Sequence, residues 1–175
     1  LALLGFSAAI ARARQHQLQV TESLRHAQEI AGLGSYAYDL RTGRWQSSDI
    51  FDRIFGLSAD YPRDAEHWVA LATPEDQESR RAYTATVIEQ GIPFHREYRI
   101  QRKNDGALRW VFSKGKVVRD GDGRPQQLVG TVQDISERKR IEEELRIAAV
   151  AFDSEEAMLI TDRRQRIMKV NRAFT

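Results

Sequence analysis

The stretch from Phe94 to Leu145 constrains the fold more than any other part of the chain. It contains three runs rich in Tyr, Ile, Val, Phe and Trp, separated by Asn104-Asp105-Gly106 and Asp120-Gly121-Asp122-Gly123. Asn, Asp and Gly tolerate positive φ, so such clusters between strand-like runs mark hairpin turns. The pattern predicts an antiparallel meander of three strands. The third strand leads almost without a loop into a charged helix. Asp134-Ile135-Ser136 stands at that junction, with Ser136 as the expected N-cap of a helix over 137–151.

Upstream, 35–40 and 43–48 read as two strands around Arg41-Thr42-Gly43, with Tyr36 and Tyr38 on one face by the period of two. A short helix is expected over 49–55, capped by Ser48 or Asp49 and stopped at Gly56, and another over 66–72. Thr73-Pro74-Glu75-Asp76 is a helix start, with a Thr cap, Pro in the first turn and acids at the positive end of the dipole. That helix should run to about Gln90 and stop at Gly91. Two strands, several helices and three strands make an α+β fold, an antiparallel sheet with its helices grouped between the strand blocks.

The ends read differently. Leu1 to Ala11 is apolar or small but shorter than the about 20 residues that span a bilayer. Two readings stand: a helix start packed on a partner, or the end of a transmembrane helix, with Arg12 and Arg14 on the cytoplasmic side. Residues 12–31 read as a polar connector helix with a narrow apolar stripe. In 137–151 and just beyond, Ile141, Leu145, Ala148 and Phe152 fall at heptad-like spacing amid charges, which suits a coiled coil or a helix on its own domain's surface. Residues 158–175 repeat the order of 36–51: strand, charged turn, strand, polar cap and an apolar helix start.

Composition removes several kinds of chemistry. Lys and Arg total 27 against 25 Asp and Glu, so there is no basic nucleic-acid footprint. The absence of Cys removes disulfides, thiolate metal sites and cysteine nucleophiles. The four His stand at no metal-ligand spacing, and no nucleophile–base pair or phosphate loop appears. Neither catalysis nor a metal site is expected of these residues.

Strand alternation assigns faces. In the run from Phe94, the residues Phe94, Arg96, Tyr98 and Ile100 share one face, and its apolar character turns it inward. A guanidinium there costs several kcal/mol unless it is paired. Three readings of Arg96 follow: an internal carboxylate pairs it, it reaches past the rim, or it meets an anionic ligand. In the next strand Leu108, Trp110 and Phe112 lie on one face and Val111, Ser113, Gly115 and Val117 on the other.

Glu97-Tyr98-Arg99-Ile100, Asp105-Gly106, Arg109-Trp110-Val111 and Gly130-Thr131-Val132-Gln133-Asp134-Ile135-Ser136-Glu137-Arg138-Lys139 together resemble the C-terminal half of bacterial sensory PAS domains. Ser136 stands where Thr is commoner. The resemblance runs from about Ala27 to Ser136, and a second copy begins near Ala151. It implies a five-stranded antiparallel sheet with helices on one face, a PAS domain over 32–136, flanking connector helices, and a truncated second PAS domain over 152–175. It also turns the small face, Val111 and Ser113, toward a pocket, and puts Trp110 outside. Candidate pocket residues are Tyr36, Tyr38, Phe55, Trp68, Arg96, Tyr98, Val111, Ser113 and Val132. The bland alternative is that the aromatics simply fill the core.

The resemblance implies a regulatory module of a membrane-linked bacterial signalling protein, in its cytoplasmic part. It would sense a small ligand, or only dimerise, and relay the signal through Asp134, Ile135, Ser136, Ile141 and Leu145 in a parallel homodimer. The implied output is a diguanylate cyclase, a cyclic-di-GMP phosphodiesterase or a histidine kinase; the opening Ser154 to Asp162 resembles the cyclic-di-GMP class somewhat more. A flavin- or haem-based redox or gas sensor is the rival. Flavin-adduct photoreceptors need a Cys, which is absent, and place a Gln at Val132. Haem-binding members supply a His from the long helix, and 73–90 contains none.

Overall fold

The structure, a computed structural model, describes residues 2–152 and 156–174, with side chains described from Arg14 onward except that of Ala151. Residues 1–134 form one compact unit and 135–175 a second.

The first unit holds α1 (Ala2–Ile30), β1 (Leu33–Asp39), β2 (Trp45–Ser47), α2 (Asp49–Phe55), α3 (Ala65–Val69), α4 (Pro74–Gln90), β3 (Phe94–Gln101), β4 (Leu108–Arg119) and β5 (Pro125–Asp134). The five strands form one antiparallel sheet in the order β2-β1-β5-β4-β3. The expected meander is β3-β4-β5, and Gly106 and Gly123 take φ of 70° and 80° in its turns. Ser48 caps α2, its Oγ accepting from Phe51 N. Thr73 and Pro74 open α4, where Thr73 Oγ1 donates to Asp76 Oδ2 at 3.2 Å. The short third helix is tighter than expected, because Asp64 caps it through His67 N.

Helices α2 to α4 cover one sheet face. Phe51, Phe55, Trp68 and Leu71 from the helical block meet Tyr36, Trp45, Ile100, Val111, Leu128 and Val132 from the sheet. Fully burying an aliphatic or aromatic side chain of this size is worth about 1.5–3 kcal/mol, so this cluster dominates the fold. The other face keeps Leu108 and Trp110 exposed.

The connector helix starts earlier than the 12–31 expected, at Ala2, and Leu18, Val20 and Leu24 of its stripe are exposed. The side chains of Leu1–Ala11, on which the transmembrane reading rests, lie outside the described residues. Among the described residues no helix is long and apolar enough to cross a membrane.

The second unit holds α5 (Ser136–Phe152), β6 (Leu159–Thr161), β7 (Ile167–Val170) and a short 3-10 turn (Arg172–Phe174). Helix α5 begins at Ser136, one residue before the expected start. The Ile135 carbonyl accepts from Lys139 N, so Ile135 takes the N-cap position expected of Ser136. Ser154 lies outside the described residues.

Hairpins β1-β2 and β6-β7 are closed alike. Asp39 Oδ1 accepts from Arg41 N and Thr42 N, and Asp162 Oδ1 from Arg164 N and Arg166 N. At the open end, Ser48 Oγ accepts from Ser35 N and Ser48 N donates to Ser35 O; Asn171 Oδ1 accepts from Met158 N and Asn171 N donates to Met158 O. The pairs are thirteen residues apart in both hairpins.

Candidate functional site

A cavity of about 330 Å³ lies between α4 and the β1–β5 side of the sheet. Its sheet wall is Tyr38, Leu40 and Leu128, and Trp68 and Val69 close it from α3. The α4 wall is Gln77, Arg80, Arg81, Thr84, Ala85 and Ile88, one helical face by spacing. This face is polar over its first two turns, so it cannot seal against the sheet as Val87 does, and space remains.

Tyr38 and Trp68 are the expected pocket residues that line this cavity. Tyr36, Phe55, Val111, Ser113 and Val132 belong to the packed layer beside it. The Tyr36 ring lies over the strand glycines Gly115 and Gly130, and its Oη is 3.3 Å from Ser113 Oγ. The space left by the small face is thus filled by Tyr36. Phe55 stacks on Phe51 at 4.2 Å. Trp68 links the two regions, with ring centroids 5.1 Å from Tyr36, 5.4 Å from Tyr38 and 5.2 Å from Trp45.

Arg96 is not internally paired. Its strand end is at the rim, where the guanidinium donates to Ser79 O at 2.8 Å and to Ser79 Oγ, with Cζ 5.3 Å from the Tyr83 ring. The inward alternation of β3 is obeyed by Phe94, Tyr98 and Ile100, but the long Arg96 side chain escapes along α4. Arg96→Ala should therefore cost no more than about 1 kcal/mol, the scale of one exposed cation–π contact. Urea denaturation measures this; a loss of about 3 kcal/mol or more would restore the buried-pair reading.

The buried guanidinium is that of Arg80, which the sequence reading missed. Arg80 is 6% exposed, donates to Trp68 O at 3.2 Å, and holds its Cζ 5.1 Å from the Trp68 ring and 5.2 Å from that of Tyr98. Burial pushes the Tyr36 phenol up to about 12, against the Ser113 hydrogen bond and the Arg80 field. Burial raises Tyr98 as well, against the same Arg80 field. These phenols therefore stay protonated through the neutral range and act as hydrogen-bonding groups, not as anions.

No metal cluster of His, Asp and Glu occurs among the described residues. A haem would need an axial donor. His67 is engaged, its Nδ1 2.8 Å from Asp64 Oδ1 and its ring edge-on to Tyr61, and it does not line the cavity. The residues present do not fit a haem.

The residues expected to relay a signal lie at the end of β5 and along α5. Asp134 ends β5, Ile135 is buried, and Ser136 opens α5. Ile141 and Leu145 are exposed on α5, on a helix laced by ion pairs of Arg138 with Glu142, Arg140 with Glu137 and Glu144, and Arg146 with Glu143.

A five-stranded antiparallel sheet carrying its helices on one face, with a pocket between α4 and the sheet that opens to the surface, is the arrangement of one family of sensory modules. The sequence profile of the PAS fold matches residues 44–132, half of the chain, and the chain belongs to that family. It is similar to a blue-light-activated histidine kinase of Brucella anthropi, 30% identical over 122 residues, 70% of this chain and 24% of the relative. It is also similar to the sensor protein FixL of Bradyrhizobium diazoefficiens, 26% identical over 146 residues, 81% of this chain and 29% of FixL. The chain thus spans about a quarter of the length of these relatives. A solved sensory box histidine kinase/response regulator from Burkholderia thailandensis matches with a TM-score of 0.61 at 26% identity, covering 73% of this chain and 95% of that one.

Proposed function

We propose that this chain is the ligand-sensing and relay module of a bacterial histidine kinase, with its sensing site in the cavity between α4 and the sheet. The cavity itself carries this reading: it is walled by Tyr38, Trp68 and Leu128 on one side and by the mostly polar face of α4 on the other, and it opens to the surface beside Arg81. The kinase output rests on the named relatives; a diguanylate cyclase or cyclic-di-GMP phosphodiesterase is the rival. A second reading, a ligand-free dimerisation module, is favoured by one observation: Tyr36 and the aromatics around it fill the space beside the small sheet face. The chain has no Cys, so light chemistry that forms a cysteinyl adduct is closed to it.

The relay would run from β5 into α5. Neither Gly nor Pro lies between Thr131 and Phe152, so nothing in the sequence offers a hinge. Ile141 and Leu145 would form the seam of a parallel homodimer, two packings of which would define the signalling states. The repeated hairpin closure of Met158 and Asn171 supports the reading of the C-terminal residues as the opening of a second PAS domain. Placement at the cytoplasmic side of a membrane rests on the run Leu1–Ala11 followed by Arg12 and Arg14 alone.

Leu145→Glu in the full-length protein tests the relay. A carboxylate at a coiled-coil core position should dissociate the dimer in light scattering and abolish regulated autophosphorylation. An unchanged dimer with unchanged regulation would show that the seam does not carry the signal. Native mass spectrometry of the unheated protein separates the ligand-binding from the ligand-free reading.

A further inference from the structure

Arg80 presents an uncommon situation. Removing a guanidinium from water is costly, and buried arginines are normally matched by a carboxylate. Arg80 is 94% buried, and among the described residues no carboxylate pairs with it. Trp68 O takes one of its five N–H donors. The Trp68 and Tyr98 rings lie beside the charge, 5.1 and 5.2 Å from Cζ, but take no hydrogen bond from it. No described buried polar atom lacks a partner, so the remaining guanidinium nitrogens are those that reach the open space of the cavity.

We propose that the cavity binds a small amphipathic carboxylate, its charged end on the free fork of Arg80 and its apolar body between Trp68, Tyr38 and Leu128. This rests on the reading of the cavity as the sensing site. A planar guanidinium presents two parallel donors that match a carboxylate. One buried positive charge is neutralised by one negative charge, which fits a monoanion better than a phosphate dianion. Exposed Arg81, on the same wall, adds a field that draws anions to the cavity. The volume of about 330 Å³ stands near the lower end of the about 300–1,000 Å³ of ligand sites, which favours a compact body.

The test uses the whole chain and matched probes: butyrate, 4-methylvalerate, benzoate and phenylacetate, each against its uncharged amide, with inorganic phosphate as a further probe. Binding is read by calorimetry and by the shift in melting temperature. At least one acid should bind about tenfold or more tightly than its amide, the preference equivalent to about 1.4 kcal/mol. Arg80→Gln should erase that preference while leaving amide binding in place. Thr84→Trp, which keeps Arg80 but places a bulky ring on the partly buried middle of the α4 wall, should remove binding of acid and amide alike, and it serves as the control should Arg80→Gln fail to fold. Equal binding of acid and amide by the parent chain overturns the anion site but leaves a sensing cavity. Tighter binding of phosphate than of every acid overturns the choice of a carboxylate. No binding of any probe overturns both the anion site and the cavity reading.

Discussion

Truncating Phe51 to alanine should cost the domain about 3–5 kcal/mol, the range for emptying a fully buried phenyl site. Phe51 is 0% exposed, stacked on Phe55 at 4.2 Å and near-parallel to Trp68 at 6.1 Å, with Tyr36 and Trp45 each at 6.0 Å. All these neighbours are rings held from several elements, so the site cannot collapse around the lost volume. Against a total stability of about 5–15 kcal/mol, the variant should be close to unfolding at room temperature. The melting temperature should fall by roughly 15–30 °C for a domain of this size. Urea titration with an unchanged slope measures it. A loss below about 1.5 kcal/mol would mean that the aromatic layer is not the centre of the core.

The second large effect is expected at Gly130. A Cβ there would stand 2.2 Å from Lys114 O, 2.6 Å from Tyr36 Oη and 2.7 Å from Tyr36 Cζ. The first contact is with the backbone of β4, which cannot retreat without opening the β4–β5 ladder. The other two would drive Tyr36 off its place over the sheet and break its bond to Ser113. Gly130→Ala should therefore cost about 3 kcal/mol or more, at the upper end of overpacking penalties. It should also alter the environment of Trp68, 5.1 Å from Tyr36. The added Tyr36→Ala change should relieve the ring clash but not the backbone clash. Tight urea curves for parent and variant that superimpose would refute the close packing of Tyr36 on this strand.

These two sites differ in how they could be read from sequence. The hairpin turns, the α4 start at Thr73-Pro74 and the inward set Phe94, Tyr98 and Ile100 were all legible, because each follows from local chemistry or the period of two; Val111 was turned inward only by the family resemblance. Gly130 was visible only as part of a motif. Its use as a seat for a tyrosine ring depends on the pairing of Tyr36 with Gly130 across β1 and β5, a distant register that local pattern does not give. Arg96 shows a second limit. Alternation reports the face of a strand but not the depth, and at the rim a long side chain can leave the face it starts from. Arg80 shows a third. Apolar periodicity finds the buried face of a helix when that face is apolar. In α4 the inward face carries Gln77, Arg80 and Thr84, so the signal that locates a core helix is absent where the cavity is. A cationic residue at helical spacing from Val87 was the one available clue, and it lacks meaning until Trp68 and Tyr98 are known to stand beside it.

The placing of the tryptophans gives the chain an optical signature of its own. Trp45 and Trp68 are buried with centroids 5.2 Å apart and planes at 60°, a geometry in which their excited states couple and give a bisignate circular-dichroism band in the near ultraviolet. Trp110, 37% exposed on the far face of the sheet, should emit to the red of the buried pair. Because Trp68 also walls the cavity, any occupant alters one member of the coupled pair and leaves Trp110 as an internal reference. Occupancy can therefore be read as a ratio of two colours of native emission, with no label attached.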